Sequence, residues 1–369
     1  MRIAQLTYSY LPIVGGADAY AEQLRRVFEA AGHEVLVYQR HTDSPPEALA
    51  KGGHPRIRRL PRLPWPLSLK EFWLLPHFLA RRRRELARFD VLIGHYPQYC
   101  RPARFHPRTV GLSHGVTWDD APDTPAARHK KSWARWAFET CARYVANDTF
   151  FLREMGLEIQ PGAEGFREVA PGKWYVPNCV DERVFHPRGA DEGSPAFNAI
   201  LVPRNIYHNR GVDLAVAAFG AIADSIPEAR LVIAGEPAQA GAVAEVRRQI
   251  EVNGLQQRVE FIGSVPWEDM PGLYSAARVT VIPSRCGEGT SLAALESMAC
   301  GTPCVATDAG GLLDVPALHA SVSVPDLAEK TLDAWQNTEQ LADEQRAAVL
   351  ERHSRARWEA CWLQVVEDW

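Results

Sequence analysis

Pro283-Ser-Arg-Cys-Gly-Glu-Gly-Thr-Ser-Leu-Ala-Ala-Leu-Glu-Ser-Met-Ala-Cys-Gly-Thr-Pro303 follows the apolar run Val279-Thr-Val-Ile282, which reads as a buried strand ending at Pro283. Gly287 and Gly289 loosen the backbone after it, and Thr290 or Ser291 suits the N-cap of a helix running to about Cys300. A strand, a Gly-bearing loop and a capped helix present free backbone N–H groups and a positive dipole end, which suit a phosphate. Glu288 in the loop and Glu296 in the helix bracket that site, with seven residues between them. At about 1.5 Å rise per residue, Glu296 is expected on the order of 10 Å down the helix from its first turn. It shares a face with Leu292 and Ala293, so it is partly buried and needs polar partners, which a vicinal diol such as a ribose supplies. Glu288 is expected near the mouth, on the far side of the phosphate. A sugar–diphosphate–nucleoside folded over the helix N-terminus fits this arrangement.

Working outward, 369 residues are long for one core and predict two domains. The content of 46% apolar and 23% charged residues is that of a water-soluble globular chain. No run reaches the length of a membrane span, and the chain opens on the strand-like Arg2-Ile-Ala-Gln-Leu6, so a cytoplasmic protein is expected. The seven cysteines are scattered without metal-ligand spacing, which agrees with a reducing compartment. The net charge of −4 hides a split. Residues 1–190 carry 28 Lys and Arg against 20 Asp and Glu, and residues 191–369 carry 13 against 25, so the two halves differ in sign.

The first half opens as strand, turn, helix and strand. Residues 2–9 read as a parallel-type strand, Gly15-Gly16 marks the turn, a helix runs to about Ala31, and Glu34–Tyr38 is the next strand. The turn lacks the dinucleotide-binding glycine fingerprint. Further strands are read at 89–93, 110–113 and 143–146, with a helix at about 126–141. His114-Gly115 closes the second of these strands, where a side chain reaches an interdomain cleft. The segment 188–195 reads as a linker. In the second half a strand near 198–203 ends at Arg204, and Arg210-Gly211 precedes a helix over 212–223. Two basic side chains six residues apart, at a strand end and a helix start, converge on a diphosphate and stabilise it as a leaving group. Strands follow at 230–235, 259–263 and 304–307.

The central stretch resembles the family-4 retaining glycosyltransferases, whose mark is two glutamates separated by seven residues and followed by Ala-Cys-Gly-Thr-Pro. The resemblance covers nearly the whole chain. It implies two doubly wound Rossmann-like α/β domains facing across a cleft, the GT-B arrangement, with the Trp-rich tail Arg357–Trp369 crossing back as a helix onto the first domain. The expected division is 1–187 for acceptor binding, 188–355 for the nucleotide-sugar and 356–369 for that helix. By resemblance, Glu288 contacts the donor sugar, Glu296 the ribose, Gly15 and Gly16 the diphosphate, His114 the sugar near the reacting carbon, and Arg204 and Arg210 the leaving group. Ile262 and Gly263 precede the turn that holds the base, and Gly289, Thr290 and Ser291 form the phosphate-facing turn. Three positions depart from the family pattern: Asp18 for Glu, Cys179 for Gly in the segment closing the first lobe, and Arg210 for Lys.

The implied reaction moves a sugar with retention from a nucleotide-sugar, a UDP-sugar before a GDP-sugar, to a hydroxyl of a glycan, glycolipid or small molecule. Arg204, Arg210, His114 and Glu288 carry the chemistry. No Asp-x-Asp pair is evident, so no metal and no cofactor is expected, and no nucleic-acid partner. A sugar-nucleotide epimerase, a phosphorylase and a non-catalytic nucleotide-sugar binder remain alternatives on the same fold. The stretch Arg56–Arg88, with Arg81–Arg84 and the interleaved Trp65, Phe72, Trp73 and Phe78, is read as either an outer helix or a peripheral contact for an anionic membrane or acceptor.

Overall fold

The computed structural model describes residues 1–11, 16–41, 56–189 and 191–369. Gly15 and Lys51 lie outside the described residues. The first domain is built on the strands β1 (Arg2–Leu6), β2 (Glu34–Gln39), β3 (Arg56–Arg59), β4 (Val91–Gly94), β5 (Thr109–Ser113), β6 (Arg143–Ala146), β7 (Arg167–Ala170) and β8 (Lys173–Tyr175), with α1 (Gly16–Ala30), α2 (Glu71–Arg81), α3 (Arg83–Leu86), α4 (Pro125–Thr140) and α5 (Thr149–Glu154). The sheet order is β3-β2-β1-β4-β5-β6-β8-β7, parallel except for the β7–β8 pair. β1 ends at Leu6, shorter than the eight-residue strand expected, although the Thr7 N–H still donates to the Tyr38 carbonyl of β2 at 3.0 Å.

The strands are apolar on both faces, as buried parallel strands must be. Ile3, Val91, Ile93, Val110 and Leu112 pack toward α1, whereas Ala4, Leu6 and Leu92 pack with Leu75 and Leu79 of α2 on the other side. This alternation also carries Gln5, His95 and His114 onto the α1 side, since each continues the register of Ile3, Ile93 and Leu112.

The second domain holds β9 (Ile200–Val202), β10 (Leu231–Ala234), β11 (Val259–Gly263), β12 (Val279–Ile282), β13 (Cys304–Thr307) and β14 (Leu318–Ala320). Its helices are α6 (Val212–Ile222), α7 (Ala240–Val252), α8 (Met270–Ala276), α9 (Leu292–Ala299), α10 (Val324–Gln336) and α11 (Thr338–Arg352). The sheet is parallel throughout in the order β11-β10-β9-β12-β13-β14. The order reverses between β9 and β12, which leaves a crevice beyond their carboxyl ends. Arg204 lies just past β9, and the Pro283–Thr290 loop just past β12.

The last helix, α12 (Arg355–Glu367), returns to the first domain. Trp358 and Trp362 are fully buried there and both indole N–H groups donate to the Tyr20 hydroxyl of α1, at 3.2 and 2.8 Å. The chain thus crosses between domains twice, and the crossings touch: the Val180 N–H donates to the His353 carbonyl at 3.0 Å, and His353 Nδ1 lies 3.1 Å from the Asn178 carbonyl. Among the described residues no helix is long and apolar enough to cross a membrane.

Candidate active site

The loop after β12 and the loop after β9 are sewn together before they meet anything else. Arg285 makes a bidentate pair with Asp213 of α6, both contacts at 2.7 Å, and its backbone N–H donates to the Asn209 carbonyl at 2.8 Å. Gly211 sits at φ 64°, where a Cβ would drive into the Pro283 carbonyl, so only glycine joins the two loops here. Ser291 is the N-cap of α9, its hydroxyl accepting from the Ala294 N–H. Thr290 is not the cap. Its hydroxyl donates instead to the Asn147 carbonyl of the first domain.

Arg204 and Arg210 converge, but on Glu288 rather than on open space. Arg204 Nη2 is 3.1 Å from Glu288 Oε1 and 3.1 Å from the Ser291 hydroxyl; Arg210 Nη1 pairs with the same Glu288 oxygen, and Ser284 donates to it at 2.8 Å. Glu288 is therefore buried in this cluster, not at the mouth as the sequence reading expected. The reason is electrostatic: two guanidinium groups inside the cleft need an anion, and the nearest carboxylate supplies it. Burial pulls both arginines down to about 10, with Arg204 adding to the effect on Arg210. Such a cluster binds a dianion readily if the carboxylate moves aside.

Glu296 also departs from its expected depth. α9 starts at Leu292, as an N-cap at Ser291 requires, and four residues on Glu296 lies about 6 Å into the helix, short of the roughly 10 Å read from the sequence by less than a turn. It meets the Tyr274 hydroxyl at 3.3 Å, and burial pushes its carboxyl up to about 7 against that hydrogen bond and the Arg204 charge.

A cavity of about 550 Å³ opens beside these groups, lined by Gly16, Arg204, Arg210, Gly235, Ser264 and Met270 among others. Its size suits a nucleotide-sized ligand. Gly16, at the start of α1, faces it from the first domain. Ile262 packs into the second domain's core and Gly263, at φ 71°, turns the chain so that Ser264 and Val265 line the cavity in their place. Gly289 lies against the Asn147 side chain, so close that a Cβ would meet it.

His114 lies across the cleft, half-buried, with Tyr20 edge-on at 5.3 Å and Tyr96 at 5.7 Å between ring centres. Burial lowers it to about 4, so it is neutral near pH 7. It borders a second cavity of about 260 Å³ walled by Phe72, Trp73, Tyr96 and Trp118. Asp18 is buried and accepts from the Ser9 hydroxyl at 2.6 Å, and Cys179 is buried in the first domain's core.

Asp119 and Asp314 had no signal in the sequence, and Asn178 was marked only by the segment that closes the first lobe. Asp119 accepts from the Gly287 N–H at 2.8 Å, Asn178 donates to the Thr290 carbonyl at 2.6 Å, and Asp314 accepts from the Thr149 N–H and hydroxyl, both at 2.6 Å, and from the Gly162 N–H at 2.9 Å. All are single polar residues whose partners lie more than a hundred positions away, so no spacing marks them.

Two family models match this chain: Glycosyltransferase Family 4 over residues 14–158 and Glycosyl transferases group 1 over residues 198–337. A D-inositol 3-phosphate glycosyltransferase of Jonesia denitrificans is 27% identical over 89% of this chain and 82% of its own. Over a shorter span, a mannosylfructose-phosphate synthase of Agrobacterium fabrum is 38% identical, covering 25% of this chain and 21% of its own. Among solved structures, sucrose-phosphate synthase from Thermosynechococcus elongatus superposes with a TM-score of 0.77 at 21% identity, covering 98% of this chain and 96% of its own. Anabaena HepE in complex with UDP-glucose superposes with a TM-score of 0.75 at 18% identity, covering 100% and 99%. At these identities the structural likeness is one of fold. The chain belongs to the family-4 glycosyltransferases. It is a glycosyltransferase with the GT-B architecture of two facing α/β domains.

Proposed function

We propose that the chain transfers a glycosyl unit, with retention, from a UDP-sugar to a hydroxyl of a glycan, glycolipid or small-molecule acceptor, without a metal. The observation that carries this reading is the convergence of Arg204 and Arg210 at the N-terminus of α9 beside the 550 Å³ cavity. The donor diphosphate takes the place that the Glu288 carboxylate holds between the two arginines. Its developing charge is met by the two guanidinium groups, the Ser291 cap and the N–H groups of Gly289 and Thr290. Glu288, displaced, turns to the transferring sugar. Glu296 accepts from the ribose diol, Gly16 (with Gly15 before it) lets the first domain approach the diphosphate, and the turn after Ile262 and Gly263 meets the base through main-chain groups. The acceptor enters from the aromatic cavity beside His114, whose side chain meets the donor sugar.

One solved protein of the same fold, Anabaena HepE, is in complex with UDP and with UDP-glucose, which favours a uridine nucleotide over a guanosine one. The test is a thermal-shift series with UDP-, GDP-, ADP- and dTDP-sugars followed by donor-hydrolysis and transfer assays, since a ligand that binds only the folded chain raises its melting temperature. Stabilisation by GDP-sugars alone overturns the nucleotide. Epimerised donor without hydrolysis or transfer overturns the reaction.

A peripheral contact with an anionic membrane is favoured by one surface feature. Trp65 and Leu69 are 80% and 77% exposed beside Arg62 and Lys70, while Phe72 and Phe78 turn into the core of the first domain instead. Co-sedimentation with neutral and anionic vesicles tests it. Binding that ignores lipid charge, or survives changing Arg81 through Arg84 to Gln, overturns it.

A further inference from the structure

Behind His114 lies a line of polar side chains that the transfer reaction, as proposed, does not use. Gln5 on β1 and His95 just past β4 are fully buried, in a part of the sheet otherwise filled by aliphatic residues. Polar atoms in such a place are costly unless each finds its complement. Here they do, and the order of donors and acceptors is forced. Gln5 Nε2 donates to the Ala21 carbonyl of α1 at 3.1 Å. A carbonyl can only accept, so the amide cannot be turned over without setting two oxygens against each other. Gln5 Oε1 therefore faces His95 Nε2, at 2.7 Å, and His95 must carry its proton on that nitrogen. Burial and the neighbouring imidazole keep His95 neutral, so its Nδ1 is a bare lone pair. That lone pair faces His114 Nε2 at 3.3 Å. A neutral His114 then has its proton on Nε2 and its lone pair on Nδ1.

The geometry assigns Gln5 and His95 as positioning residues that hold His114 in its Nε2–H tautomer, so that the ring offers an Nδ1 lone pair to a hydroxyl of the sugar substrate. This rests on the reading of His114 as a sugar-facing residue. A histidine fixed this way accepts a hydrogen bond and donates none to the ligand. It thus selects a substrate hydroxyl at that point and disfavours an ether or a keto oxygen, which bring only lone pairs. A buried histidine that merely fills the core would need no particular direction along this line. The Ala21 carbonyl supplies that direction.

The test reads the tautomer first and the chemistry second. In protein labelled with nitrogen-15 in its imidazole rings, His114 is identified by the signals lost in His114→Ala. The expected result is a protonated Nε2 and an unprotonated Nδ1 on His114 between about pH 6 and pH 8. Gln5→Met, which removes the acceptor for His95, should release the tautomer. It should also lower kcat for UDP-sugar turnover about 10- to 100-fold, the range for lost outer-shell support, while UDP affinity stays within about twofold. Gln5→Glu should restore the Nε2–H form only while its carboxyl is protonated, since it then donates to the Ala21 carbonyl and its other oxygen accepts from His95. A His114 protonated on Nδ1 in the unsubstituted protein overturns the proposal, and that measurement stands even if Gln5→Met does not fold. An unchanged tautomer with unchanged kcat in Gln5→Met overturns it as well. Full transfer activity in His114→Ala would instead overturn the sugar-facing reading and leave the tautomer assignment intact.

Discussion

Asp119 of the first domain accepts a hydrogen bond from the Gly287 backbone N–H of the second, at 2.8 Å across the cleft. Its other oxygen is buried without a partner, and burial raises the carboxyl above its ordinary range. The contact grips the loop that carries Glu288. Asp119→Ala should lower turnover about tenfold while leaving free UDP binding within about twofold, and Asp119→Asn, which keeps an acceptor oxygen, should recover part of the loss. Steady-state kinetics with calorimetric UDP titration checks this. An equal fall in UDP affinity would place Asp119 on the nucleotide instead.

Glu288 stands where the diphosphate is proposed to bind, so the two compete for the same arginines. Glu288→Gln should bind UDP as tightly as the unsubstituted protein or about tenfold more tightly, yet turn over poorly, because a buried charge pair is given up without leaving Arg204 and Arg210 unserved once UDP arrives. Arg204→Ala should cost roughly 2–4 kcal/mol of transition-state stabilisation. Loss of UDP affinity in Glu288→Gln would refute the competition.

Glu296 gives nucleotide binding a pH dependence. Its carboxyl is pushed up to about 7 by burial, and ribose hydroxyls donate preferentially to the ionised form. UDP affinity should therefore rise as pH rises through 7, with a proton released on binding; Glu296→Gln should weaken binding and remove its share of that slope. Titration calorimetry in two buffers of different ionisation enthalpy measures the proton directly.

Asp148 sets a stability slope of the opposite sense. It caps α5 through the Phe151 N–H at 2.6 Å, but burial, with Asp314 nearby, pushes its carboxyl up to about 8. Its folded value exceeds the unfolded one, so its contribution is full at low pH and is lost as pH rises through about 8. The melting temperature should fall between about pH 5 and pH 8, and Asp148→Asn, which keeps a capping oxygen, should flatten that fall. A slope unchanged in Asp148→Asn would refute the assignment.

Most of the architecture was legible because its signals are local. Pro283 stops β12, the two glycines open the loop, and α9 is apolar at helical spacing. Which hydroxyl caps α9 was not legible: Thr290 and Ser291 are equal by type, and the choice falls to Ser291 only because Asn147, far away in sequence, takes Thr290. The depth of Glu288 failed for the same reason, since spacing does not tell which cation will fold onto a carboxylate. In 65–79 the helical period separates Leu75 and Leu79 from Trp73, but Trp65 precedes α2 and has no period to place it. Gln5 sits in a run that reads simply as strand and His95 just past another, and their meaning arises only where β1 and β4 lie side by side.

The two crossings between the domains are hydrogen-bonded to each other at Val180 and His353, and that has a mechanical consequence. Two connections lying together act as one pin, which opposes a slide of the domains past each other and leaves a swing about that point. Points far from the pin travel farthest. A cross-link joining residues 180 and 354 would leave the swing free, whereas a tether between residues 119 and 287 would lock the door shut.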